Sequence, residues 1–194
     1  MPVFTPPNKQ YQGYIFDCDG TLANSMPVHY QAWVQATGEY GGRISEDLFY
    51  ELGGVPTHKI VEILNEKYGT QMDPETVAVR KEVIYVESID SIQPIPEVAA
   101  FARRVAESAR VAVASGGSLP VVSKTLAAIG FKDFFAVIVT SEQVARGKPS
   151  PDMFLEAAAR MGVRPSECLV LEDSVAGFQA ATAAGMEYVV IGRP

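Results

Sequence analysis

The sequence predicts an α/β protein with a Rossmann-like parallel sheet flanked by helices and a small all-helical cap inserted after the first strand. Three observations predict this fold. Short apolar runs are continuous rather than alternating, which is typical of strands buried on both faces of a parallel sheet. Helical patterns separate most of these runs, as in repeated βαβ units. One long interval, from about Pro27 to Asp90, has no strand pattern.

The predicted strands are short apolar runs bounded by turn residues. They comprise residues 13–16, 111–114, 136–139, 168–171 and 188–191. Start and stop residues also define two of the intervening helices. Pro151 and Asp152 open a helix that Gly162 ends. A second helix is predicted from about Ser174 to Ala184, so residues 97–194 alternate between strand and helix.

The interval without strands is predicted to hold three helices. Apolar residues recur at helical spacing within 26–34 and again within 60–68. The third helix is predicted to start with Asp73 as N-cap and Pro74 as its first residue. Residues 91–96 are predicted to form a stiff return connection.

These patterns divide the chain into an α/β core and a cap. Residues 1–26 and 91–194 are assigned to the core, and residues 27–90 to the helical cap. Residues 28–90 contain 5 Lys and Arg but 11 Asp and Glu, a net charge of −6. Most of the net charge of −7 on the whole chain therefore lies on the cap.

The composition excludes several classes of protein. The 194 residues are 47% hydrophobic and 20% charged, close to the globular average and unlike disordered or fibrous chains. No apolar run reaches the roughly 18 residues that a membrane span needs, and no secretory signal is visible at the start. An acidic chain without a stripe of Lys and Arg argues against nucleic acid or a membrane as partner. Cys18 and Cys168 cannot build a disulfide framework, so we expect small buried thiols in a cytoplasmic monomer.

Polar residues follow four of the predicted strands. The carboxyl ends of parallel strands meet at one edge of the sheet, where α/β proteins bind ligands. Carboxylates there can hold Mg²⁺ or attack phosphorus, and lysine and backbone N–H groups can neutralise phosphoryl oxygens. The residues are Asp17 and Asp19 after the first strand, Ser115 and Gly116 after the second, Lys148 after the third, and Glu172 and Asp173 after the fourth. Together they predict phosphoryl transfer.

Each of these signals also has an ordinary structural explanation. A pair of aspartates at a strand end is often a turn or a helix cap. Lys148 by itself would be a solvated loop residue, and Glu172 and Asp173 could simply cap a helix. Their coincidence at four ends of one sheet favours the chemical interpretation.

The same stretches resemble the four motifs of the haloacid dehalogenase-like hydrolases, in the order and strand context of that superfamily. They are residues 16–22, Ser115, residues 147–154 and residues 171–174. The resemblance extends from about Tyr11 to Pro194. The helical insert resembles the small cap of the β-phosphoglucomutase-like branch, and within that branch the chain resembles the fructose-1-phosphatase-like proteins.

The resemblance implies a role for each acidic residue. Asp17 would be the nucleophile that forms an aspartyl-phosphate. Asp19 would protonate the leaving oxygen and then activate water. Mg²⁺ would be held by Asp17, the backbone carbonyl of Asp19, and Asp173, with Glu172 in support.

The resemblance also implies the residues that bind substrate. Ser115 and the Gly116 amide would bind phosphoryl oxygens, and Lys148 would stabilise their charge. His29 lies on the first predicted cap helix, where related proteins carry a histidine that faces the acid–base aspartate. It is a candidate for contact with Asp19 or substrate, although a structural histidine is the plainer interpretation.

The cap departs from the mutases at one position. In the mutases an arginine holds the phosphate that is not transferred, and Thr57 stands in the matching place here. His58, Lys59 or Arg43 could compensate only if they pointed inward. We therefore expect a Mg²⁺-dependent phosphatase that acts on a small phosphorylated metabolite, a sugar monophosphate or a similar compound, with a β-phosphoglucomutase-type mutase as the alternative.

Two further classes remain open at this point. A phospho-receiver domain also places acids, a hydroxyl and a lysine at strand ends, but its phosphorylated aspartate normally follows a later strand. A non-catalytic sugar-phosphate sensor could share the fold, although the intact acids and Lys148 argue against it. A dinucleotide-binding protein is excluded because no Gly-x-Gly-x-x-Gly follows the first strand.

Overall fold

The computed structural model describes residues 4–53 and 55–192 and has the predicted α/β organisation. The strands are β1 (Gly13–Phe16), β2 (Arg110–Ser115), β3 (Val137–Thr140), β4 (Cys168–Glu172) and β5 (Glu187–Val190). The α-helices are α1 (Met26–Glu39), α2 (Glu46–Glu51), α3 (Thr57–Tyr68), α4 (Pro74–Glu87), α5 (Pro96–Val105), α6 (Leu119–Ala128), α7 (Asp152–Met161) and α8 (Val175–Ala183). Short 3₁₀ helices cover Ile89–Ser91, Ser141–Gln143 and Pro165–Glu167.

The five strands form one parallel sheet, as predicted, and the structure gives their order as β3-β2-β1-β4-β5. β1 is therefore central, with β2 on one side and β4 on the other. Phe16 at the end of β1 pairs with Val113 of β2 and Leu171 of β4. This register brings the residues that follow β1 and β4 side by side.

Both faces of the sheet are covered, which explains why the strand sequences are continuously apolar. Ile15 belongs to a buried cluster that includes Phe154 of α7 and Ala181 of α8. On the opposite face, the ring of Phe16 packs against Phe101 of α5. β4 is buried throughout, whereas β5 at the edge is largely exposed.

The chain separates into two compact units. One contains the described residues up to Asn24 and from Ile92 onward, and the other is Ser25–Ser91. The two connecting segments run side by side in the first unit, where Asn24 N donates to Gln93 O and Ile95 N donates to Leu22 O, both at 2.9 Å.

The second unit is built from α1 to α4 and has its own core. α1 and α3 both pack against α4. Trp33 is 3% exposed, as expected for a core anchor, and Leu64 and Tyr85 are fully buried. No helix within the described ranges is long and apolar enough to cross a membrane.

Several local predictions need correction. Ser115 and Glu172 are the last residues of β2 and β4 rather than the first residues beyond them. The return connection ends at Ile95, because Pro96 already begins α5. α2 was not predicted, since its six residues are too few to show a helical period. Gly54, part of the turn predicted before α3, lies outside the described residues.

Candidate active site

Lys148 lies at the centre of a buried charged cluster. Its Nζ donates to Asp17 Oδ1 at 2.6 Å, to Glu172 Oε2 at 2.6 Å and to the carbonyl of Ala114 at 3.1 Å. A lysine ammonium has three N–H donors, so these acceptors use all of them. The side chains of the three charged residues are at most 8% exposed. Lys148 thus reaches from the loop after β3, past β2, to both β1 and β4.

Three carboxylates beside Lys148 form a candidate metal site. Asp17, Glu172 and Asp173 each offer an oxygen, and these oxygens lie within 4.8 Å of one another. An all-oxygen set of acidic donors suits a hard divalent cation such as Mg²⁺. Three carboxylates share a single ammonium group, so a divalent cation would neutralise charge that is costly to bury. The residues present therefore fit a Mg²⁺ site.

The pKa values of the cluster reflect this crowding. Burial raises the pKa of the Asp17 carboxyl well above its ordinary value, Glu172 adds to the increase, and Lys148 opposes it. Burial and then the charge of Glu172 raise the pKa of Asp173 to about 7. Burial lowers the pKa of Lys148, but Asp17 and Glu172 more than reverse this effect and leave it above its ordinary value. Lys148 is therefore held as a cation among carboxyls that repel one another.

Asp19 lies in a tight turn two residues beyond Asp17. It forms an isolated bridge with Ala23, and the carbonyl oxygen of Cys18 accepts hydrogen bonds from the N–H groups that follow. Asp19 is partly exposed, whereas Asp17 is 6% exposed. The negative charge of Asp19 also contributes, as the smallest of the causes, to the raised pKa of Asp173. The two aspartates of the turn thus occupy different environments.

The loop between β2 and α6 is the candidate phosphate-binding segment. Ser115 is 1% exposed, and its Oγ accepts a hydrogen bond from Gly117 N at 3.2 Å. Ser141 Oγ donates to the carbonyl of Gly116 at 2.9 Å and tethers the loop to the end of β3. α6 begins at Leu119, and helix N-termini favour anions. A hydroxyl that accepts a hydrogen bond can still donate its own proton.

The two cysteines are buried free thiols, as expected. Burial raises the pKa of Cys18 well above its ordinary value and that of Cys168 to about 11. Both thiols therefore stay protonated and have little nucleophilic character.

His29 is fixed within the helical unit. Its Nδ1 lies 3.0 Å from Nζ of Lys81, and its ring stacks on Tyr85 with centroids 3.8 Å apart. Lys81 is 5% exposed and also donates to Glu82 at 2.9 Å. The contact of His29 with Asp19 or substrate stays a prediction.

Three partners in these clusters were not identified from the sequence. The Ala114 carbonyl could not be identified from the sequence, because every residue has a backbone carbonyl. Lys81 could not be recognised as a buried residue either, because the residues that surround it come together only in the folded unit. Gly177 of α8 packs against Glu172, since an added Cβ would lie 2.0 Å from the Glu172 Cδ. It has a recognisable signal, because glycine inside a helix costs roughly 1 kcal/mol relative to alanine and so indicates close packing.

We expect Gly20→Ala to lower both stability and Mg²⁺ affinity. Gly20 has a φ of +83°, and an added Cβ would lie 2.2 Å from Asp173 Oδ2. The left-handed conformation costs a side chain roughly 1 kcal/mol, and the clash displaces Asp173. Thermal unfolding and calorimetric titration with Mg²⁺ measure the two effects.

Gly185→Ala is the matched control. Gly185 has a φ of +70°, and its added Cβ would meet no described atom within 4 Å. This variant should lose about as much stability as the left-handed backbone conformation costs in Gly20→Ala. It should bind Mg²⁺ with the affinity of the wild type. Unchanged Mg²⁺ affinity in Gly20→Ala would contradict the placement of Asp173 in the metal site.

The comparisons with known proteins match the resemblance drawn from the motifs. The model of a hydrolase family described as haloacid dehalogenase-like hydrolase matches residues 11–185. Fructose-1-phosphate phosphatase YqaB of Escherichia coli (strain K12) is 36% identical over 186 residues, which cover 93% of this chain and 96% of that protein. Beta-phosphoglucomutase of Bacillus subtilis (strain 168) is 30% identical over 190 residues, which cover 92% of this chain and 82% of that protein. Among solved structures, CbbY from Rhodobacter sphaeroides in complex with phosphate has a TM-score of 0.81 at 26% identity, covering 92% of this chain and 85% of that one.

Proposed function

This chain belongs to the haloacid dehalogenase-like hydrolases, and on that premise we propose that it is a Mg²⁺-dependent phosphatase of small sugar monophosphates. The observation that carries the proposal is the buried cluster in which Lys148 donates to both Asp17 and Glu172. Such a cluster combines a nucleophile, a fixed positive charge and oxygen ligands for a cation at one edge of the sheet.

The substrate class is inferred from the relatives. YqaB, by its name, acts on fructose 1-phosphate. A sugar monophosphate of that size is therefore the first substrate to test on this chain.

The first chemical step would be attack of Asp17 on phosphorus. Lys148 holds Oδ1, so the attacking atom would be Oδ2. The bond from phosphorus to the sugar oxygen breaks, and the Asp19 carboxyl gives its proton to that oxygen. The products of this step are the free sugar and a phosphorylated Asp17.

The second step would be hydrolysis of the phosphorylated Asp17. The Asp19 carboxylate takes a proton from water as the water oxygen attacks phosphorus, and the bond to Asp17 breaks. Phosphate leaves and both aspartates return to their starting states. Ser115 and the Gly116 amide would bind the phosphoryl oxygens in both steps, and the positive charge of Lys148 would stabilise them.

The resident cation completes the site. Asp17, the backbone carbonyl of Asp19, and Asp173 would hold Mg²⁺, with Glu172 in support. When bound, Mg²⁺ supplies Lewis-acid stabilisation of charge on the phosphoryl group.

Side chains of the helical unit favour a phosphatase over a mutase. Thr57 offers no charge, and the cations nearby along the chain have other partners on the surface. Lys59 forms an ion pair with Glu62 at 2.7 Å, and Arg43 lies over the ring of Tyr68 at 4.7 Å. A bisphosphate intermediate would require a free cationic site in this unit.

The test is phosphate release from a panel of sugar monophosphates and bisphosphates, with Mg²⁺ and with excess EDTA. We expect Mg²⁺-dependent release from at least one monophosphate, and a fall of about 10³-fold or more in EDTA, since a metal supplies several kcal/mol to such transition states. The proposal would be overturned by bisphosphate-primed conversion of β-glucose 1-phosphate to glucose 6-phosphate in preference to release. It would also fail if no member of the panel were hydrolysed by the folded protein.

A further inference from the structure

Both oxygens of the Glu172 carboxylate are held by protein groups. Oε2 accepts from Lys148 Nζ at 2.6 Å. Oε1 accepts from Ser174 Oγ at 2.7 Å and from Ser174 N at 3.2 Å. The side chain is 1% exposed, so its orientation is set by these contacts rather than by solvent.

Ser174 belongs at the same time to the start of α8. It is the N-cap residue, and its Oγ accepts a hydrogen bond from Gly177 N at 3.1 Å. A hydroxyl that accepts from the helix and donates to a carboxylate has a fixed direction. Ser174 therefore connects the helix backbone to Glu172.

Gly177 makes room for this arrangement. A Cβ at this position would lie 2.0 Å from Cδ of Glu172 and 2.3 Å from Oε2, the oxygen bound to Lys148. The first turn of α8 thus lies directly against the carboxylate. A larger residue would push Glu172 away from Lys148.

We propose that Ser174 and Gly177 are positioning residues for phosphoryl transfer, because together they orient Glu172 and so place the Lys148 ammonium beside Asp17. The inference rests on the proposed function and deepens it. The four-carbon stem of lysine is flexible, so acceptors must determine where Nζ lies.

The need for this support is greatest after Asp17 has reacted. Phosphorylation turns the Asp17 carboxylate into a neutral acyl group with a weaker hold on Lys148. Glu172 and the Ala114 carbonyl are then the protein acceptors in contact with Nζ. Glu172 must already be oriented for Lys148 to keep its place through the second step.

The experiment compares Ser174→Ala and Ser174→Thr with the matched control Ser45→Ala. Ser45 is also an N-cap, accepting from Leu48 N at 3.4 Å at the start of α2 in the other unit. Ser174→Ala should lower kcat by about 10- to 100-fold, as loss of groups that support a metal or catalytic ligand does, with KM changed less than about threefold. Ser174→Thr keeps the hydroxyl and should restore most of kcat, and Ser45→Ala should leave kcat unchanged.

A second measurement is independent of activity. Crystal structures of Ser174→Ala and Gly177→Ala should show Lys148 Nζ no longer within hydrogen-bond distance of both Asp17 and Glu172. The inference is overturned if Nζ keeps both contacts, if kcat of Ser174→Ala matches Ser45→Ala in an active enzyme, or if the threonine variant fails to recover. If the wild-type protein has no phosphatase activity, the proposed function fails. The inference about Ser174 and Gly177 is then tested by the position of Lys148 Nζ in the variant structures.

Discussion

Asp17→Asn is expected to reduce phosphate release by on the order of 10⁴-fold or more, because loss of a covalent nucleophile removes most of the chemical acceleration. An amide has nearly the shape of a carboxylate but is a far weaker nucleophile. Its oxygen can still accept the hydrogen bond that Lys148 now donates at 2.6 Å. The loss should therefore appear in kcat. The measurement is phosphate release at saturating substrate and Mg²⁺.

The same substitution should not destabilise the metal-free protein. Burial raises the pKa of the Asp17 carboxyl above its value in an unfolded chain. A carboxyl with a raised folded pKa costs stability at neutral pH, and this cost is absent at a pH below both pKa values. Asn carries no charge, so in EDTA at pH 7 the unfolding midpoint should equal or exceed that of the wild type.

Asp133→Asn is the control for this comparison. Asp133 is exposed and has a φ of +57°, a conformation that asparagine tolerates. It should have wild-type kcat and a similar unfolding midpoint. If Asp17→Asn kept more than a few per cent of wild-type turnover, the assignment of Asp17 as the nucleophile would be wrong.

Lys148→Met is expected to lower both catalysis and stability. The variant loses the positive charge at the phosphoryl oxygens, which we expect to cost about 10³-fold in kcat. It also leaves Asp17 and Glu172 buried without their common partner, and breaking a buried pair in this way costs about 3–5 kcal/mol. Chemical denaturation in EDTA and phosphate release in Mg²⁺ measure the two losses separately.

The stability loss should depend on pH. Without Lys148, the already raised pKa of Asp17 loses the one charge that opposes the shift. The folded state then holds a proton that the unfolded state releases, so stability falls as pH rises above the ordinary pKa of an aspartate. The deficit relative to wild type should be larger at pH 8 than at pH 5.

Lys124→Met serves as the control for charge removal alone. Lys124 is an exposed residue of α6, and its loss should change kcat and stability little at either pH. A pH-independent deficit in Lys148→Met, equal to that of Lys124→Met, would contradict the buried cluster described above.

The strand positions were predictable because their cause is local. A strand covered on both faces must be apolar throughout, and this is visible in residues 13–16 and 168–171 without any tertiary information. α2 was not predictable because six residues are too few to show a helical period. The last residues of β2 and β4 were not predictable because pairing with β3 and β5 sets where those strands end.

The sequence by itself determined the set of candidate site residues and the edge of the sheet where they were expected to gather. Acids, a hydroxyl and a lysine follow strands that must be parallel, and the carboxyl ends of parallel strands lie at one edge. The alternation of strand and helix therefore placed Asp17, Ser115, Lys148 and Asp173 in one region before any distance was known.

Only the tertiary structure decided which of these groups touch. Lys148 and Asp17 are 131 residues apart in sequence, and their contact requires β1 to lie between β2 and β4. The orientation of Glu172 depends on a hydroxyl at the start of α8 and on the missing Cβ of Gly177. Strand order and side-chain rotamers are settled by packing between distant segments, and no local pattern of residues encodes them.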